Sequence, residues 1–147
     1  MPTFLSALLE GESGSSEKSS LRVLVVDDFQ PIRRVICWEL RSMPELQIAA
    51  EASDGEEAVQ QAKELHPDLV VIDIDLPKLN GIEAARQILA LSPNSKILFV
   101  SQETSLPIIQ EALASGAHGY VCKMHIGRSL QAAVKAVLSG ETAVMVV

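Results

Sequence analysis

The sequence predicts an α/β domain built on a doubly wound parallel sheet. Two observations carry this reading. The strongest apolar runs, Val23–Val26, Leu69–Ile72 and Ile97–Val100, have strand length and do not alternate with polar residues. Strands covered on both faces look like that. Amphipathic helical stretches separate the runs, so strands and helices alternate along the chain. Weaker strand runs at Leu46–Ala50 and Tyr120–Cys122 bring the number to five.

Each helix has its own signals. Pro31 suits the first turn of a helix, and Ile32, Val35, Ile36, Leu40 and Met43 then form one stripe. Asp54 is placed to cap Gly55–Leu65. Ile82, Ala85, Ile88 and Leu89 mark a third helix. Ile108, Ile109, Ala112 and Leu113 mark a fourth, with Pro107 near its start. Leu130, Val134 and Leu138, closed by Gly140, mark the fifth. The expected sheet order is 2-1-3-4-5, the flavodoxin-like arrangement. Ligands in such sheets sit beyond the carboxyl ends of the strands, at a topological switch point.

The domain is expected to span residues 21–141. Residues 1–20 read as a flexible N-terminal tail, because 11–20 run GESGSSEKSS, with nothing to bury. Before that tract, Phe4, Leu5, Leu8 and Leu9 share a helical spacing. A short docking helix and a mobile terminus both fit, and terminal position favours the second. Residues 142–147 read as a C-terminal tail or the start of a linker. The run Ala143–Val147 is apolar, which suits packing against the domain or a partner better than exposure.

Composition excludes several function classes. With 147 residues, one domain of ordinary size is expected. Twelve basic against 19 acidic residues give a net charge of −7, unsuited to neutralising nucleic-acid phosphates. Three Phe, one Trp and one Tyr are too few for a base-stacking surface. No apolar run approaches the roughly 18 residues of a membrane span. The first ten residues lack the basic start of a signal peptide. Cys37 and Cys122 lie inside apolar segments and read as reduced core thiols of a cytoplasmic protein.

The chemistry stands at the strand ends. Strand one ends in Asp27-Asp28, strand three in Asp73 with Asp75 two residues on, strand four in Ser101 and strand five in Lys123. Taken singly, each has an ordinary explanation: a helix cap, a turn former, a strand-end hydroxyl, a solvated lysine. Taken together, they gather carboxylates, a hydroxyl and an ammonium on one rim. Carboxylates at ~4 Å repel by about 4 kcal/mol per pair at an effective dielectric of ~20. A proton or a cation must relieve this. Hard oxygen donors without His or Cys favour Mg²⁺, for which Mn²⁺ could substitute. An acidic rim with a nearby Lys and Ser suits phosphoryl transfer, with one carboxylate as a potential nucleophile.

With these residues placed, the chain resembles the receiver domain of two-component response regulators over about Leu21–Gly140. The carrying segments are VLVVDDFQPIRR (Val23–Arg34), DLVVIDIDLPKLNGIEA (Asp68–Ala84), ILFVSQ (Ile97–Gln102) and GAHGYVCK (Gly116–Lys123). The resemblance implies a phosphorylation-dependent signalling switch that is not a turnover enzyme. Asp73 would take a phosphoryl group from a histidine kinase, a phosphotransfer protein or a small phosphodonor. Asp27 and Asp28 would hold Mg²⁺, with Asp28 favoured as direct ligand, together with Asp73 and the backbone carbonyl of Asp75. Lys123 and Ser101 would bind the phosphoryl oxygens. Tyr120 would turn inward when Ser101 moves, changing an output surface of the fourth helix, fifth strand and fifth helix.

The loop after the acceptor fits as well. Pro77 restrains it, Asn80-Gly81 is a turn pair, and Gly81 lets the third helix start close to the rim. Two positions depart from the family pattern. Gln102 follows Ser101 where a small residue is usual, and with Asp75 it would modify the pocket. Met124 follows Lys123 where many members carry Pro. The segment LQAAVKAVLSGETAV (Leu130–Val144) further resembles receivers that precede a helix-turn-helix DNA-binding domain. A stand-alone receiver and a part of a longer regulator are both compatible with this. So is a homodimer, for which Trp38 on the first helix offers a surface.

Three other functions compete. A phosphatase of haloacid dehalogenase type would use Asp73-Ile74-Asp75, but there the further acidic pair comes last in the chain, and here Asp27-Asp28 comes first. A flavin carrier needs a phosphate-cradling loop where Asp27-Asp28 places negative charge. A constitutive receiver-like interaction module, independent of phosphorylation, is the remaining alternative.

Overall fold

The computed structural model describes residues 20–146. The tail reading of residues 1–20, with its Phe4–Leu9 spacing, therefore falls almost wholly outside the described residues. Six parallel strands form one sheet in the order β2-β1-β3-β4-β5-β6. Chain order runs β1 (Leu21–Val26), α1 (Gln30–Arg41), β2 (Leu46–Ala52), α2 (Gly55–Leu65), β3 (Leu69–Ile72), α3 (Gly81–Leu91), β4 (Lys96–Ser101), α4 (Leu106–Ala114), β5 (Gly119–Cys122), a 3₁₀ turn (Lys123–His125), α5 (Ile126–Leu138) and β6 (Ala143–Met145).

The uniformly apolar strands are explained by two cores. Leu24, Val26, Val70 and Ile72 point to one face, where α2, α3 and α4 bring Ala58, Ala62, Ala85, Ile88 and Ala112. Val23, Val25, Leu69 and Val71 point to the other, where α1 and α5 bring Ile36, Leu40, Leu130 and Val134. Alternate side chains of each strand thus meet helices on both faces.

Local chemistry sets the helix ends, at Asp54 and Gly140 as expected and at Asn80 through a cap in addition to its turn. Asp54 Oδ1 accepts from the Glu57 N–H at 2.7 Å to start α2, and Asn80 Oδ1 accepts from the Glu83 N–H at 3.0 Å to start α3. Gly140, at φ +92°, ends the chain segment after α5. The stripe of α1 differs by one position from the reading. Val35 is exposed and Cys37 is buried in its place. The two are 200° apart on a helical wheel, but both flank Ile36, and spacing alone does not choose between them. Both cysteines are buried and free. Burial, with Glu51 nearby, pushes the Cys37 thiol up to about 11.

The expected five-strand order is present, and a short sixth strand extends it. Ala143, Val144 and Met145 pair in parallel with Gly119, Tyr120 and Val121. The sheet therefore runs past residue 141. A Cβ on Gly119 would lie 2.8 Å from the Ala143 carbonyl oxygen, so the missing side chain is what lets β6 approach. β1 and β2 pair with a bulge that skips Ala49, which accounts for the weaker strand signal there. Among the described residues no helix is long and apolar enough to cross a membrane.

Candidate functional site

The carboxyl ends of β1, β3 and β5 converge on one cleft of about 570 Å³, lined by Asp28, Phe29, Asp73, Asp75, Gln102, Lys123 and Met124, among others. The parallel register does this. Val26 pairs with Ile72 and Ile72 with Phe99, so the residues that follow each strand emerge on the same edge. Asp27 lies beneath the cleft, fully buried, and Asp73 is 3% exposed. Asp28 and Asp75 stand at its exposed mouth.

Lys123 is the centre of the electrostatics. Its Nζ is 2.8 Å from Asp27 Oδ2 and 3.0 Å from Asp73 Oδ2. Only the Asp73 contact also has hydrogen-bond geometry. One ammonium thus serves two buried carboxylates. Burial pushes Lys123 down, but Asp27 and Asp73 together outweigh it and hold its pKa above the ordinary 10.5. For Asp73 the balance goes the other way. Burial pushes its carboxyl above the ordinary 3.8, the hydrogen bond and charge of Lys123 pull it back only in part, and Asp27 adds to the rise.

The donor set fits a hard divalent cation. Asp27, Asp28 and Asp73 each offer an oxygen, all within 4.8 Å of one another. Asp73 Oδ1 is buried with no hydrogen-bond partner. An unsatisfied buried carboxylate oxygen among like charges is costly, and a cation relieves it. Oxygen donors alone match the preference of Mg²⁺.

Backbone contacts fix Asp27. Its Oδ1 accepts from the Phe29 N–H at 2.9 Å, and its carbonyl accepts from Arg33 Nη1 at 2.7 Å. Arg33 in turn pairs with Glu51 at 2.9 Å. The sequence reading missed Arg33. Its partner here is a backbone carbonyl, which leaves no signal in the sequence.

Ser101 and Tyr120 do not line the cleft. Both are fully buried behind it. Ser101 Oγ accepts from the Glu103 N–H at 3.3 Å, and the Tyr120 hydroxyl donates to the Glu103 carbonyl at 2.8 Å. Burial pushes the Tyr120 hydroxyl up to about 12, against a smaller pull from Ser101. The two side chains therefore grip the same peptide segment between β4 and α4. Sequence reasoning missed Glu103 because its part is played by backbone atoms, which any residue supplies. Tyr120 already stands inward here, its ring 6.4 Å from that of Phe99. Gln102 is exposed at the cleft mouth, and Met124 is 76% exposed beside it.

Comparison with known proteins agrees with this geometry. Residues 23–135 match the family described as the response regulator receiver domain. The chain is 32% identical over 123 residues to the transcriptional regulatory protein DegU of Brevibacillus brevis, covering 84% of this chain and 52% of DegU. It thus spans about half the length of that relative. To the chemotaxis protein CheY of Thermotoga maritima it is 37% identical over 102 residues, 69% of this chain and 84% of CheY. The crystal structure of a LuxR-family two-component response regulator from Aurantimonas sp. SI85-9A1 superposes with a TM-score of 0.80 at 34% identity, covering 85% of this chain and 89% of that one. The family match over residues 23–135, with three carboxylates and a lysine gathered at the strand ends of a sheet that contains the 2-1-3-4-5 order, places the chain in the response regulator receiver domain family.

Proposed function

We propose that the chain is a phosphorylation-dependent signalling switch whose acceptor is Asp73. The observation that carries this is Asp73 itself: a buried carboxylate with one oxygen held by Lys123 and the other without a partner, at the floor of an open cleft. A carboxylate oxygen of Asp73 attacks phosphorus, and the phosphorus–nitrogen bond of a phosphohistidine breaks, its electron pair leaving on the imidazole nitrogen. The donor is a histidine kinase, a phosphotransfer protein or a small phosphodonor such as acetyl phosphate, whose phosphorus–oxygen bond breaks instead and releases acetate. Mg²⁺ (or Mn²⁺) held by Asp27, Asp28, Asp73 and the Asp75 backbone carbonyl would take up charge on the phosphoryl oxygens. Lys123 is close enough to follow the charge from the carboxylate to the phosphoryl group.

Ser101 is the first relay. Turning its hydroxyl to a phosphoryl oxygen gives up the Glu103 N–H. Glu103 is also what Tyr120 holds, so the β4–α4 segment and the tyrosine respond together. Tyr120 pairs with Val144 of β6, which carries the change to the sheet edge beside α5. The reading is tested by mass spectrometry after incubation with acetyl phosphate and Mg²⁺. A gain of one phosphoryl group is expected, absent in Asp73→Ala. No gain with any donor would leave a constitutive interaction module instead.

The cleft mouth sets a second expectation. Gln102 lines it and is exposed. Gln102→Ala should speed phosphorylation by acetyl phosphate several-fold by widening the approach to Asp73. Mass spectrometry on acid-quenched samples would follow it. Unchanged kinetics would remove Gln102 from the role of gate.

A further inference from the structure

A second concavity lies away from the cleft. Gln30, Arg34, Cys37, Trp38 and Arg41 of α1, with Glu51 of β2, line a groove of about 390 Å³. The α1 members are spaced 4, 3, 1 and 3 apart, a single stripe along the helix. None of them lines the acidic cleft. Trp38 is 69% exposed, the largest side chain left open on the domain. Arg33 is engaged by Glu51, whereas Arg34 and Arg41 make no ion pair among the described residues. An exposed indole flanked by two guanidinium groups without an ion pair among the described residues suits an apolar segment carrying acidic residues.

We propose that this groove is the docking site of the chain's own N-terminal segment, residues 1–12. Three observations select this occupant. First, β1 begins beside the groove. The Leu21 N–H donates to the Glu45 carbonyl at 2.9 Å and Leu21 pairs with Leu46, directly after the turn that follows Arg41. Second, the reach fits. Residues 13–20, Gly/Ser-rich and lying between that segment and Leu21, span about 15 Å as a flexible chain, enough to bring Glu12 to the Arg41 end of the groove. Third, the chemistry is complementary. The first 16 residues hold Glu10 and Glu12 and no basic side chain, and Phe4, Leu5, Leu8 and Leu9 share one helical face.

The connection also fixes the direction. Chain leaving Leu21 meets the Arg41 end of the groove first. In the proposed docking, Glu10 and Glu12, nearest that end in sequence, would meet Arg41, and the apolar residues before them would meet Trp38. Docking in this way leaves the acidic cleft open.

Trp38 is the only tryptophan, so its fluorescence reads the groove directly. Acrylamide quenching is compared for the full chain, for Leu5→Asp/Leu8→Asp and for Arg41→Glu. Covering half of the open indole should lower the quenching constant of the full chain about twofold relative to both variants. The difference should not change with protein concentration. Adding Glu10→Arg and Glu12→Arg to Arg41→Glu should restore protection. Equal quenching in all chains would overturn the proposal. Protection that grows with concentration would overturn it too, because the occupant would then be a second copy. Arg41 is exposed, and far-UV circular dichroism of each variant, expected to match the full chain, separates loss of docking from loss of folding.

Discussion

Lys123→Met should lower stability at neutral pH, without divalent cations, by about 3 kcal/mol or more, the usual cost of removing one partner from a buried ion pair. The reason lies in the count of charges. In the wild type one ammonium lies 2.8 and 3.0 Å from two buried carboxylates. Methionine fills similar volume but leaves Asp27 and Asp73 facing each other with nothing between them. The loss should depend on pH in a definite sense. Asp73 already has a folded-state pKa above 3.8, and Lys123 supplies the main pull against that rise. Without Lys123 the folded pKa moves higher still. Between 3.8 and that value the folded chain binds more protons than the unfolded one, so stability falls as pH rises through this window. The deficit of the variant should therefore be full above the folded pKa and shrink toward zero below about pH 3.8. Urea denaturation at a series of pH values measures it. Mg²⁺ should recover part of the loss, because any ligand of the folded state alone stabilises it by mass action. A variant as stable as wild type at pH 7 would mean that the three groups are not coupled.

How much of this was legible in sequence depends on which atoms act. A parallel sheet puts every strand's carboxyl end on one edge, so Asp27, Asp28, Asp73 and Lys123 could be gathered from their positions after apolar runs. Their residue types then narrowed the chemistry. Glu103 was invisible because its N–H and C=O are common to all residues. Arg33 could not be found the same way, because its partner, a backbone carbonyl, leaves no trace in composition. β6 escaped because three residues following a helix carry too little pattern to mark a strand, although the apolar Ala143–Val147 did signal packing. The inward Tyr120 is a matter of side-chain rotation, and a run of apolar strand residues says nothing about that.

The loop after Asp73 yields the other large effect. Gly81→Ala should destabilise the chain by about 3 kcal/mol, at the upper end for an overpacked site, and slow phosphoryl uptake on Asp73. A Cβ at position 81 would lie 1.9 Å from the Asp73 carbonyl oxygen and 2.8 Å from the Asp73 carbonyl carbon and the Ile74 Cα. All three are backbone atoms, so no side-chain rotation makes room. Real Cβ contacts essentially never fall below 3.0 Å, which means α3 or the Asp73 backbone must shift by about 1 Å. The first turn of α3 resists, because the Gly81 N–H donates to the Ile74 carbonyl at 2.7 Å and Asn80 caps the helix from the preceding position. The shift is thus passed to Asp73. A displacement of that size at a reacting group can cost up to ~100-fold in rate. Gly127→Ala provides the internal contrast. That glycine sits in α5 with nothing within 4 Å of its would-be Cβ. Alanine there should stabilise by up to about 1 kcal/mol through helix propensity, with phosphoryl uptake unchanged. Thermal denaturation and timed phosphorylation of the two variants side by side separate the effects. If Gly81→Ala keeps both the melting temperature and the uptake rate of wild type, close backbone packing is not what positions the acceptor, and the hold of Lys123 on Asp73 must do so alone.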